Sequence, residues 1–87
     1  MKKIGIVGIV INNREKDSYL VNNILSEHAD IIIGRMGIPQ RDGSRGFISL
    51  FVEGNTDRIG SLTGKLGKIR SVTVKSLLLS LEDKKNE

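Results

Sequence analysis

The segment Ile4-Gly-Ile-Val-Gly-Ile-Val-Ile11 is apolar or glycine at every position, the pattern of a strand covered on both faces well inside a sheet. From Glu15 to His28 the period changes, and Leu20, Val21, Ile24 and Leu25 make one stripe at helical spacing. Asn12 or Asn13 can cap this helix, with Glu15 placed after Asn12 as in a capping box. Asp30 to Gln40 then predicts a second strand, Gln40 to Arg45 a turn organised by Asp42-Gly43, and Gly46 to Glu53 a third strand closing a hairpin. Gly54-Asn55-Thr56-Asp57 supplies a break and a cap. Ile59, Leu62 and Leu66 follow at i, i+3 and i+7 of a second helix that Gly67 can end in a left-handed conformation. Arg70 to Leu81 alternates as a fourth strand, and Glu82 to Glu87 is a charged tail expected to fray.

Strand, helix, strand, strand, helix, strand is the split βαβ order, so residues 1–81 are expected to form one α+β domain. It is ferredoxin-like (βαββαβ), with a four-stranded antiparallel sheet and both helices on one face. The first and third strands carry no charge between Ile4 and Ile11 or between Phe47 and Val52, and are expected at the centre. The second carries Arg35 and Pro39 and the fourth carries Lys75, which belong at edges. Phe47, Ser49 and Phe51 point to one side of the third strand and Ile48, Leu50 and Val52 to the other. Because helices cover one side only, the other side would expose a large apolar patch. A homo-oligomer covering that face, with Phe47 and Phe51 at its interface, is therefore expected.

Composition bounds the chemistry. A chain of 87 residues buries roughly 60 to 70% of its unfolded surface, and with three aromatics the core must be built from Ile, Leu and Val. The net charge of +4 favours anionic partners without singling out nucleic acid. The absence of cysteine excludes disulfides, thiolate metal sites and cysteine nucleophiles, and suits the reducing cytoplasm. The apolar run after Met1-Lys2-Lys3 is too short to span a membrane and lacks a small-residue cleavage site.

Glycine-rich stretches invite nucleotide readings that fail on spacing. Gly60-Ser-Leu-Thr-Gly64-Lys65-Leu66-Gly67 has three residues between its first glycines where a phosphate loop has four, and Leu66 stands where a hydroxyl would hold magnesium. Gly60 and Gly64, one turn apart, instead suit close approach to a neighbouring backbone. Gly5 and Gly8 lack the dinucleotide spacing. His28 is expected to cap the last carbonyls of the first helix, and a single histidine without cysteine builds no compact metal site in one subunit. No Ser-His-acid arrangement or convergent acidic pair is present, so the protein is expected not to be an enzyme and to need no cofactor. Arg35, Arg41, Arg45, Lys65, Lys68, Arg70 and Lys75 could gather near the second and fourth strands, making a basic sheet surface for nucleic acid the alternative function. The first strand offers no aromatic for base stacking, which argues against it.

Ile33-Gly-Arg-Met-Gly-Ile-Pro39, followed by Leu62-Thr-Gly-Lys-Leu-Gly67 and Val72-Thr-Val-Lys75, resembles the family of iron-only hydrogenase system regulators. These are stand-alone ACT-like domains, similar in fold to the ligand-sensing domain of the nickel-responsive repressor. The resemblance covers Ile6 to about Ser76 and implies a domain that forms dimers or tetramers and regulates genes of iron-only hydrogenase and its maturation. No helix-turn-helix or ribbon-helix-helix is present, so operator binding would need a partner protein that supplies one. The nickel sensor's histidine and cysteine ligands have no counterpart here. The reading is a cytoplasmic regulatory or sensor module acting as a homo-oligomer, with a small-molecule effector or a protein partner at subunit contacts. Arg35 would anchor an anion, Gly37 permit close backbone approach, Pro39 stop the edge strand, and Gly64 with Lys65 supply a second cation near the end of the second helix.

Overall fold

A computed structural model describes residues 2–81. Strand β1 (Lys3–Ile11) leads into helix α1 (Arg14–Glu27), a single 3-10 turn (Ala29–Ile31), strands β2 (Ile32–Pro39) and β3 (Gly46–Gly54), helix α2 (Thr56–Gly67) and strand β4 (Val72–Ser80). All pairings are antiparallel and the sheet order is β2-β3-β1-β4. The strands with the uncharged runs Ile4–Ile11 and Phe47–Val52 are central and the strands bearing Arg35, Pro39 and Lys75 are the edges, as expected from their chemistry. The tail at positions 82–87 lies outside the described residues.

The core lies between the sheet and the helices. Val7, Ile9 and Ile11 of β1, Leu50 and Val52 of β3, Val21 and Leu25 of α1, and Ile59, Leu62 and Leu66 of α2 are all buried. Leu20 is a correction to the expected stripe: it is 36% exposed, whereas Asp17 and His28 are buried. The true buried line of α1 runs through Asp17, Val21, Leu25 and His28, because its polar ends find partners. Ser71 Oγ donates to Asp17 Oδ2 over 2.5 Å. His28 Nδ1 donates to the Ile24 carbonyl over 2.8 Å, capping the helix, and Nε2 accepts from Ser61 Oγ of α2 at 3.1 Å.

The caps correct two further expectations. Asn13 is the N-cap of α1 and accepts from the Lys16 amide, so no capping box joins Asn12 to Glu15. Asn12 instead binds the Ser71 carbonyl through both its amide and its side chain. Asn55 caps α2 by accepting from the Arg58 amide over 2.8 Å. Lys68 follows the last turn in right-handed conformation, so Gly67 makes no left-handed end. A Cβ at Gly60 or Gly64 would meet nothing within 4 Å, so neither glycine serves a close approach within the chain. Asp30 lies in the 3-10 turn, outside the strand expected to contain it.

The hairpin turn depends on Gly43, whose φ of 81° is the left-handed conformation that glycine tolerates. Asp42 Oδ1 accepts from the Ser44 hydroxyl and amide at 2.7 and 2.9 Å. Those two bonds, helped by Arg45 and Arg14, hold its carboxyl below the ordinary 3.8. A depressed carboxylate stabilises the fold above its unfolded value, and this contribution fades as pH falls through the folded one. Urea unfolding should therefore show wild type more stable than Asp42→Asn near neutrality, with the gap closing as acid protonates the Asp42 carboxylate. A gap independent of pH would show that the Asp42 charge contributes nothing.

Candidate effector groove

Alternation along β2 sends Arg35, Gly37 and Pro39 toward the helices, and Met36 and Ile38 toward the open face of the sheet. A groove of about 190 Å3 runs between this edge of the sheet and α1, lined by Arg14, Ser18, Asn22, Arg35, Gly37 and Pro39 among others. The Gln40 amide donates to the Arg45 carbonyl beyond the strand end. By antiparallel alternation the backbone groups of Pro39, Gly37 and Arg35 then face outward from the sheet edge. Pro39 can occupy such a position because no ladder bond needs its missing N–H. With no side chain at Gly37, the groove wall there is bare backbone.

Two guanidinium groups reach this groove. Arg35 Nη2 donates to Asn22 Oδ1 of α1 over 2.6 Å. Arg14 is held by its own amide, which donates to the Ser44 carbonyl at 3.0 Å, and by a long contact of 3.4 Å from Nε to the Gly43 carbonyl. Ser18 Oγ donates to the Arg14 carbonyl over 2.5 Å. Among the described residues, the ion pairs are Arg58–Asp30 and Lys65–Glu27, so neither groove arginine is matched by a carboxylate within 4.0 Å. Two cations, an amide and a hydroxyl around so small a space suit a compact anion bound bidentately.

Arg35, Gly37 and Pro39 are thus brought together. Gly64 lies on the exposed side of α2, and Lys65 pairs with Glu27 at the end of α1; neither lines this groove. Arg14, Ser18 and Asn22, overlooked in the sequence reading, recur every four residues along α1. This polar line beside the apolar stripe is a signal the sequence does carry.

Phe47 and Phe51 stand on the open face, 39% and 48% exposed, among Ile6, Val10, Met36, Ile38, Leu77 and Leu79. Among the described strand residues, Lys75 is the one basic side chain on that face, because Arg35 points to the helices and sits on the opposite edge. The basic sheet surface expected for nucleic acid is therefore absent from the described strands. No group of three metal-ligating side chains occurs among the described residues, and no described helix is long and apolar enough to cross a membrane.

The antiparallel βαββαβ sheet with two helices on one face is ferredoxin-like and ACT-like in fold. The ACT domain of a GTP pyrophosphokinase from Chlorobium tepidum superposes with a TM-score of 0.68 at 24% identity, over 87% of this chain and 86% of that one. Within that class, a family model described as TM1266-like, iron-only hydrogenase system regulator, matches residues 3–76, and the chain belongs to that family. The uncharacterized protein TM1266 of Thermotoga maritima is similar over 92% of this chain and 100% of that chain, at 38% identity and a TM-score of 0.86. A nitrogen regulatory PII-like protein of Thiomonas intermedia, bound to ADP, AMP and bicarbonate, shares the fold at 10% identity, a TM-score of 0.50 and 88% coverage of each chain. The comparison with curated proteins gives no match.

Proposed function

We propose that this protein is a non-enzymatic cytoplasmic sensor module that binds a small anionic effector in the groove between α1 and β2. It acts as a homo-oligomer and passes effector occupancy to a DNA-binding partner that controls genes of an iron-only hydrogenase system. The observation that carries the reading is the pair Arg14 and Arg35, which reach one groove with no carboxylate within 4.0 Å among the described residues, beside a stretch of open backbone at Gly37. Membership of a regulator family supports the regulatory role.

The test is a thermal-shift panel of inorganic phosphate, bicarbonate, acidic amino acids and nucleotides on the pure protein. A ligand present at about one hundred times its dissociation constant stabilises the fold by about 2.7 kcal/mol. Arg35→Ala should abolish that shift while leaving the oligomer mass unchanged. A shift that survives the substitution removes Arg35 from the site, and a blank panel removes the small anion.

A further inference from the structure

Cross-strand neighbours on the open face form rows. One row runs Met36, Ser49, Gly8, Lys75, and the next runs Gly34, Phe51, Ile6, Leu77. Ser49 and Gly8 leave a notch of about 270 Å3 at the middle of the sheet, walled by Met36, Ile38, Phe47 and Val10. Nothing among the described residues explains the glycine. Gly8 does not adopt a left-handed conformation, and a Cβ there would meet nothing within 4 Å. A strand-interior glycine without an internal reason marks the close approach of something from outside.

The two rows are complementary strand by strand. Moving two residues along β3 exchanges Ser49 for Phe51, along β1 Gly8 for Ile6, and along β2 Met36 for Gly34. We propose that two copies pack open face on open face about a two-fold axis that crosses the strands between these rows. The axis lays Ser49 under the partner's Phe51, Gly8 under the partner's Ile6 and Gly34 under the partner's Met36, so every small residue receives a large one. A two-fold along the strands would stack Phe51 on Ile6 and leave Ser49 above Gly8. Sheets packed face to face lie about 10 Å apart and are rotated by about 30°, so the match is closest on the central strands. Lys75, on the β4 edge, can carry its ammonium past the rim into water.

The area suffices. Four strands of eight or nine residues span roughly 600 Å2 of flat sheet, and side-chain relief brings this toward the ~800 Å2 per partner of a standard interface.

This inference deepens the homo-oligomer reading and rests on it. Sedimentation equilibrium of wild type, S49F, F51S and the double variant S49F/F51S tests it, with circular dichroism to confirm folding. S49F sets large on large and F51S leaves a hole, so each should weaken association at least about tenfold, while the double variant restores the match and should return within about threefold of wild type. Gly8→Leu reads the notch independently and should weaken association by a similar factor. Four masses equal to wild type would place the interface elsewhere and overturn this packing while leaving the homo-oligomer standing. Weakened singles without recovery in the double variant would overturn the axis. A wild type that stays monomeric at all concentrations would end both readings.

Discussion

Leu50→Ala is expected to lower the unfolding free energy by about 3 to 4 kcal/mol, a large part of the ~4 to 13 kcal/mol available to a domain of this length. Leu50 has no exposed surface and sits on the helix side of β3, opposite Val7 of β1 and Arg35 of β2. Removing its branched end leaves a cavity in the core between the sheet and the helices, which the surroundings fill only in part. Urea unfolding should show a lower midpoint with an unchanged slope. Phe51→Ala, one residue on and larger, is the control. Its side chain lies on the bare face, so measured on the isolated subunit it should cost less than about 1 kcal/mol. Equal losses for the two would mean that the faces of β3 have been assigned wrongly.

His28→Ala should cost about 2 to 4 kcal/mol, the second of the large effects. The buried ring joins two helices, since the Ile24 carbonyl of α1 accepts from Nδ1 and the Ser61 hydroxyl of α2 donates to Nε2. His28→Phe keeps an aromatic ring in the site, somewhat larger than imidazole, and removes both bonds, so most of the loss should persist in that variant. A small loss for His28→Phe would show that the ring acts by filling space alone. Nitrogen chemical shifts should identify the tautomer protonated on Nδ1, because a carbonyl can only accept.

Sequence patterning reaches the fold more completely than it reaches the groove. The uncharged runs Ile4–Ile11 and Phe47–Val52 announce central strands because charge and proline collect on sheet edges, and Asp42-Gly43 announces its turn because a left-handed residue is needed there. Asp17 and His28 were harder to place. A carboxylate and an imidazole on a buried line are tolerated only because Ser71 and Ser61 arrive from elsewhere in the chain, and no local pattern reports so distant a partner. The glycines of α2 misled for the opposite reason: spacing shows that a helix side is bare without showing whether anything lies against it. In the groove, Arg35 stands out in the sequence as a charge in an apolar strand. Arg14 does not, since it looks like any residue that opens a helix.

The fastenings around Arg14 and Arg35 differ in kind. At one end of the groove the main chain of Arg14 is tied to the hairpin at Ser44, a bond between backbones that no solute readily displaces. At the other end the walls are joined by the Arg35 guanidinium on the Asn22 amide, a bond between side chains. The groove is thus a clasp with a riveted end and a catch. An anion that took the guanidinium from Asn22, as proposed above, would open the catch and leave the rivet in place.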